Sequence, residues 1–149
     1  MMISTKGRYA LGIMLDLTLN GKDGYVSLTD IAARQDVSLK YLEAIVSTLY
    51  KAGLVESLRG KNGGYKLARA PEEYTVGEIL KTTEGSLAPV SCLENCSSGG
   101  CERIESCLSA HLWRALDAVI DGYLEGVTLE DVAKGRVPMP YSEKKTEKK

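Results

Sequence analysis

Two capped helices followed by a glycine-rich hairpin, within residues 27–67, constrain the fold of this chain more than any other feature. Residues 27–30 (Ser-Leu-Thr-Asp) have the pattern of a capping box and begin a short helix. Ser38 caps a second, longer helix that runs to about Ala52. Its inward-facing apolar residues recur at helical spacing and are Leu42, Ile45, Val46 and Leu49. This outline predicts a helix-turn-helix whose second helix is the recognition helix.

A basic hairpin follows directly. Residues 54–58 and 65–67 are strand-like, and the stretch 59–64 (Arg-Gly-Lys-Asn-Gly-Gly) between them predicts a tight turn. Arg59 and Lys61 supply positive charge there, and the glycines allow close approach to a phosphate backbone or a narrow minor groove. A hairpin alone is as typical of a solvated turn as of a DNA contact. Its place after the two helices favours a wing.

The fold class predicted is therefore mainly α with a small β-hairpin, as a winged helix-turn-helix domain over residues 1–85. Further helices are predicted over residues 5–19, over a second capping-box segment at 75–78 that continues to Gly85, and over a long stretch from Arg103 to Leu124. A last short helix begins at Thr128 and ends at Gly135. The candidate DNA-binding residues are Ser38, Lys40, Tyr41, Glu43, Arg59 and Lys61.

The charge distribution supports this division. Residues 1–69 carry ten Lys or Arg against six Asp or Glu, whereas residues 70–135 carry four against twelve. The overall charge of −1 hides this contrast. A basic first half and an acidic remainder fit a DNA-binding module joined to a sensing or dimerising element.

All four cysteines lie close together, at Cys92, Cys96, Cys101 and Cys107. Their spacing lacks the paired C-x2-C of most structural zinc sites and matches no common disulfide scaffold. Two adjacent glycines, at 99 and 100, permit the tight turns that bring several thiolates around one centre. Residues 86–107 are therefore predicted to form a cysteine-rich, cluster-binding loop.

Four interpretations of this loop are open: an iron–sulfur cluster, a thiol redox switch, a zinc site, or cysteines that act as small hydrophobes. The first is favoured, and the many polar residues of the loop argue against the last. His111 is the only histidine. If a helix begins near Cys107, the i, i+4 spacing puts both side chains on one face. The same histidine is also compatible with simply filling a helix face.

The long helix carries an apolar stripe that one small domain can hardly cover, made of Leu108, Leu112, Leu116, Val119, Ile120, Tyr123 and Leu124. Residues 108–135 are thus predicted to form a dimerisation helix and a short terminal helix. A homodimer would suit palindromic DNA. The charged tail 136–149 is predicted to be disordered.

No apolar run reaches membrane-spanning length, and Asp16 interrupts the only N-terminal candidate for a signal sequence. A soluble cytoplasmic protein without a membrane partner is expected. In a reducing cytosol, clustered cysteines are more often metal-binding or redox-active than disulfide-bonded. One histidine beside the thiols allows no Ser/His/acid arrangement, and no phosphate-binding loop is present. Catalysis is therefore not expected.

With these residues in view, the chain resembles the IscR-type winged-helix regulators, a family that also contains NsrR and CymR. The resemblance covers residues 2–133, and its most specific segments are 4–10, 38–43, 59–65, and the cysteine loop running into 107–116. It implies a homodimeric transcriptional regulator, mainly a repressor, that senses one [2Fe–2S] cluster per protomer and controls cluster-assembly genes. Cluster-assembly proteins are then the expected cluster donors.

The resemblance also implies which residues hold the cluster. Cys92, Cys101 and Cys107 match the three cysteines of the family. The family's histidine position is occupied by Ala110, with His111 one residue later, and Cys96 is an additional cysteine. The fourth ligand is therefore open between His111, Cys96 and a group from elsewhere, such as the partner chain.

Three other functions stay open at this point. One is a cluster-free repressor of cysteine metabolism, and another is a thiol-redox or nitric-oxide sensor. The third is a redox protein in which the helix-turn-helix is only a scaffold.

Overall fold

The computed structural model describes residues 3–94 and 101–141. Along these residues the elements are α1 Thr5–Asn20, α2 Leu28–Gln35, α3 Leu39–Lys51, β1 Val55–Leu58, β2 Gly64–Leu67, a short 3-10 helix Pro71–Glu73, α4 Val76–Glu84, α5 Ser91–Glu94, α6 Ala110–Glu125 and α7 Leu129–Ala133. The fold class predicted from the sequence is confirmed. In this described part, no helix is long and apolar enough to cross a membrane.

Serine and threonine caps explain where most helices begin. At α1, α2, α3, α4 and α7 the N-cap side-chain oxygen accepts a hydrogen bond from the backbone N–H three residues later, and the caps are Ser4, Ser27, Ser38, Thr75 and Thr128. Such a cap satisfies one of the free N–H groups of the first turn. Helix α6 is different, because Ser109 at its N-cap makes no side-chain capping bond.

Helix α1 lies at the centre of the domain and packs against α2, α3, α4, α7 and β2. Its buried face joins apolar side chains of α2, α3 and α4 in one core, which includes Ala10, Ile13, Met14, Ile31, Leu42, Ile45, Leu49 and Ile79. Each fully buried Ile, Leu or Met contributes roughly 1.5–3 kcal/mol through removal of apolar surface from water. The recognition helix α3 is therefore held by the main hydrophobic core.

The hairpin is fixed to this core at its base. β1 and β2 are antiparallel, with Val55 opposite Leu67 and Leu58 opposite Gly64. Gly64 has a φ of +153°, and a Cβ atom there would lie 2.1 Å from the carbonyl oxygen of Val26, so a side chain has no room. Below the strands, the buried Tyr74 hydroxyl donates to the carbonyl oxygen of Leu54 (2.6 Å). Leu54 and Val55 at the base of the wing also belong to the core that contains the buried residues of α3.

The predicted start of the long helix is wrong. Helix α6 begins at Ala110 rather than near Arg103, and residues 101–109 form turns. The backbone N–H of Ser106 and its hydroxyl both donate to the carbonyl oxygen of Arg103, at 3.1 and 3.2 Å. Ile104 likewise donates to Cys101 (3.0 Å) and Ala110 to Cys107 (3.2 Å), and such backbone bonds between residues three apart close turns and not the i to i−4 rings of an α-helix. Cys107 therefore precedes the helix, and the expected shared face with His111 does not form.

The second half of α6 is attached to α4. Lys81 binds the carboxylates of both Asp121 and Glu125, the latter at 2.9 Å, and Glu125 also accepts from the Thr75 hydroxyl at 2.8 Å. The hydrogen bonds to Asp121 and Glu125 raise the pKa of Lys81, and the hydrogen bond from Lys81 lowers the pKa of Glu125. An apolar cluster of Val76, Leu80, Leu87 and Val127, with Tyr123 and Leu124 packed against it, completes this contact.

Candidate nucleic-acid interface and cysteine site

The first turn of α3 presents most of the predicted DNA-binding residues to solvent. Lys40, Tyr41 and Glu43 are exposed, whereas Leu42 between them is fully buried. Ser38 is exposed, and its Oγ accepts from the backbone N–H of Tyr41 at 3.2 Å. The Ser38 hydroxyl proton is not used by this cap. The arrangement is that of a helix whose N-terminal residues can reach base edges in a major groove.

Tyr41 is positioned by a residue that sequence reasoning missed. Its ring makes an edge-to-face contact with Tyr9 of α1, with ring centroids 5.7 Å apart and planes at 89°. This geometry is one of the two that aromatic pairs prefer. In the sequence, Tyr9 was indistinguishable from the other apolar residues of α1.

The wing places Arg59 and Lys61 in solvent at its tip. A groove of about 440 Å³ separates the wing from α3 and is lined by Ser47, Tyr50, Ser57, Leu58, Arg59 and Tyr65, among others. Ser47 and Tyr50 were not predicted as functional residues, because only the tertiary packing of α3 against the hairpin brings them to this groove.

The basic residues of this region fall into two groups, those that form ion pairs and those that do not. Lys66 pairs with Glu56 (3.4 Å) and Arg69 pairs with Glu78 (2.6 Å). Among the residues that the structure describes, Lys40, Arg59 and Lys61 form no ion pair. Their charges are therefore available to phosphate groups.

Three of the four cysteines lie around one small cavity in front of α6. The cavity measures about 70 Å³, and its lining comprises Cys92, Leu93, Cys101, Ile104, Cys107, Ser109, Ala110 and Trp113. Cys92 lies in α5, and Cys101 and Cys107 lie at the two ends of the turns before α6. Predicted ligands that are six to fifteen residues apart in the sequence are thus brought to one site. Cys96 lies outside the described residues.

The Cys107 thiol lies within hydrogen-bond distance of Ser109. Its Sγ is 3.2 Å from the Ser109 hydroxyl. Hydrogen bonds from the Ser109 hydroxyl, and then from the backbone N–H groups of Ser109 and Ala110, lower the pKa of the Cys107 thiol. A thiolate at the beginning of a helix is also favoured by the helix dipole. The site therefore favours the thiolate form of Cys107, which is the form that binds metals.

The donor set fits an iron–sulfur cluster, because three cysteine side chains line one cavity. Within residues 3–94 and 101–141, no three His, Cys, Asp or Glu side chains are placed to hold one metal ion. Thiolates are also the donors that such clusters require.

His111 is exposed on α6 and does not line the cavity, although its neighbour Ala110 does and is buried. Consecutive helical residues point about 100° apart, which explains why Ala110 faces the cysteines and His111 does not. The structure therefore brings together three of the predicted ligands and places His111 beside them, on another face of the helix.

The predicted apolar stripe of α6 divides into two parts. Ile120, Tyr123 and Leu124 are half-buried, and the last two pack against their own domain. The exposed part consists of Leu108 (95%), Leu112 (60%), Leu116 (38%) and Val119 (53%). Four large apolar side chains along one stretch of surface are typical of an interaction site.

Comparison with known proteins gives a consistent result. Residues 3–135 match the Rrf2 family, described as "Iron-dependent Transcriptional regulator". The HTH-type transcriptional regulator IscR of Aliivibrio salmonicida is 41% identical over 132 residues, which cover 89% of this chain and 77% of that protein.

Two solved structures extend the comparison to the fold. CymR, the global cysteine regulator of B. subtilis, matches with 38% identity and a TM-score of 0.70, over 91% of this chain and 98% of that one. IscR of T. potens matches with 38% identity and a TM-score of 0.70, over 91% of this chain and 88% of that one.

Proposed function

Because this chain belongs to the Rrf2 family of iron-dependent transcriptional regulators, and is therefore a DNA-binding transcriptional regulator, we propose that it represses genes of iron–sulfur cluster assembly as a cluster-sensing homodimer. Each protomer holds one [2Fe–2S] cluster, supplied by cluster-assembly proteins. The dimer binds a palindromic operator in the cytoplasm. The observation that carries this proposal is the cavity lined by Cys92, Cys101 and Cys107 directly in front of α6.

In the proposed complex, α3 lies in the major groove and the wing contacts the flanking backbone or minor groove. Lys40, Arg59 and Lys61, which have no ion-pair partner among the described residues, bind phosphates. Ser38 and Tyr41 contact base edges or adjacent phosphates. Glu43 selects the site, because a carboxylate near DNA is repelled unless it accepts a hydrogen bond from a cytosine amino group.

Cys92, Cys101 and Cys107 supply three cluster ligands, and His111 or Cys96 supplies the fourth. When bound, the cluster provides a one-electron redox centre that is sensitive to oxidation. Histidine as fourth ligand would raise the reduction potential relative to an all-thiolate site.

The path from the cysteines to the DNA runs through α6. The carbonyl oxygen of Cys107 accepts from the backbone N–H of Ala110 (3.2 Å) at the beginning of this helix, while Lys81 attaches its second half to α4 through Asp121 and Glu125. Helix α4 in turn packs against α3. In the proposed dimer α6 also joins the two protomers. Cluster binding at Cys107 therefore changes the relative orientation of the two recognition helices. Cluster occupancy thereby alters the operator preferred.

A comparison of operator preference with and without cluster tests this proposal. We expect anaerobically reconstituted protein and cluster-free protein to select different sequences from random double-stranded DNA. Iron and sulfide analysis of the same samples measures cluster content. Identical preferences from samples that differ fully in iron and sulfide would contradict the coupling, and absence of iron and sulfide from protein prepared without air would contradict cluster binding.

The second candidate function is a cluster-free repressor controlled by a partner enzyme or by thiol oxidation. It is favoured by the lowered pKa of the Cys107 thiol and by the similarity to CymR. If this alternative is correct, the anaerobically purified protein will show no visible absorbance and will bind its operator with full affinity.

The DNA-binding surface leads to a separate prediction. Arg59→Ala should weaken operator binding about tenfold, which corresponds to the loss of roughly 1.4 kcal/mol, and should reduce the salt slope by about one. The matched control is Lys66→Ala, which removes the same charge from the same hairpin but from a residue paired with Glu56. Fluorescence anisotropy over a range of salt concentrations measures both. Equal effects of the two variants would show that only net charge matters.

A further inference from the structure

Ser109 differs from every other serine or threonine found at a helix N-cap in the described residues. Five such residues cap their helices with the side chain, as described above, and have extended backbones. Ser109 has φ −82° and ψ −10°, and its hydroxyl makes no capping bond. Instead the hydroxyl lies 3.2 Å from the Cys107 sulfur. The Ser109 side chain thus contacts a thiol and does not bind the backbone N–H that a capping serine usually binds. This contact needs an explanation of its own.

The direction of this hydrogen bond depends on the state of the sulfur. In the free thiol, either atom can be the donor. In a metal-bound thiolate the sulfur carries no proton, so the Ser109 hydroxyl must donate. The donor then lies in the same cavity wall as Cys92 and Cys101.

We propose that Ser109 is a positioning residue that donates a hydrogen bond to the Cys107 thiolate ligand and thereby sets the reduction potential of the bound cluster. This inference rests on the proposed function, since it requires that Cys107 is a ligand. A donor to a ligand sulfur stabilises the additional negative charge of the reduced state more than that of the oxidised state. Hydrogen bonds to the sulfurs are among the determinants of cluster potential.

The test is a redox titration of the reconstituted protein, followed by absorbance and electron paramagnetic resonance. One electron, supplied by dithionite, enters each bound cluster, and the oxidised dithionite products leave. Ser109→Ala should lower the equilibrium constant for this reduction about threefold to tenfold, and a tenfold decrease corresponds to a shift of −59 mV for a one-electron couple. Ser109→Thr, which keeps the hydroxyl, should restore the potential of the parent.

Ser106→Ala is the matched control. Ser106 is on the other side of Cys107 in the sequence, and its hydroxyl donates to the Arg103 carbonyl oxygen and not to sulfur. The Ser106 variant should keep the parent potential. An unchanged potential in fully loaded Ser109→Ala, or an equal decrease in Ser106→Ala, would overturn the inference while leaving the proposed function intact. Failure of the parent itself to take up iron and sulfide would overturn both.

Discussion

Replacing both Leu112 and Leu116 by aspartate should convert the protein into a monomer and reduce its operator affinity more than about 100-fold. Both side chains are on the exposed apolar part of α6, and neither contributes to the buried core. Four carboxylates would enter a two-fold interface, and each buried charge without a partner costs several kcal/mol. Weakening of self-association by at least about 2.8 kcal/mol corresponds to the 100-fold effect.

Analytical ultracentrifugation measures the mass in solution, and anisotropy on the full palindrome measures affinity. The matched control is Leu19→Asp, because Leu19 is a leucine of α1 that is 61% exposed and outside this stripe. The control should remain dimeric. A dimeric double variant with normal affinity would show that another surface joins the protomers.

The second large effect concerns the cluster ligands. Cys107→Ala should lose the cluster completely, with iron and sulfide contents near zero and no visible absorbance after anaerobic reconstitution. Cys92→Ala and Cys101→Ala should behave in the same way, because all three thiols line one cavity. None of the three belongs to the buried core, so circular dichroism should show an unchanged fold. Retention of the parent spectrum in any one of them would remove that residue from the ligand set.

The same measurement on Cys96→Ala and His111→Ala identifies the fourth ligand. His111 is exposed and faces away from the cavity lining. We therefore expect the smaller spectral change from His111→Ala. Loss of the cluster in this variant would show that His111 turns towards the cysteines on binding.

The winged helix could be predicted from sequence because its signals are local. Caps at Ser27 and Ser38 and the helical spacing of apolar residues fix two helices, and glycines fix the turn between two short strands. The start of α6 could not be predicted in this way. The apolar spacing of Ile104, Leu108 and Leu112 continues through the turns, whereas the backbone hydrogen bonds there join residues three apart and not four.

The candidate site was predictable only where its residues are clustered in the sequence. The cysteines form such a cluster, and the structure places three of them together. The contact of Tyr9 with Tyr41 and the binding of Lys81 to Asp121 and Glu125 join segments 32 to 44 residues apart. Neither contact follows from periodicity or local hydrogen bonding, because each depends on how α1 and α6 pack against the domain.

Helix α6 is attached to α4 near its C-terminal end and contacts the cysteine cavity at its N-terminal end. A small rotation at one end therefore produces a larger displacement at the other. Its sixteen residues span about 24 Å at 1.5 Å per residue, so a tilt of about 5° at the Lys81 end moves the Cys107 end by about 2 Å. Conversely, a displacement of about 2 Å at the Cys107 end tilts the helix by only about 5°. In the proposed dimer, a small change in bond distances around the Cys107 sulfur would therefore rotate the domain only slightly, and the rotations of both protomers would add to change the spacing of the recognition helices.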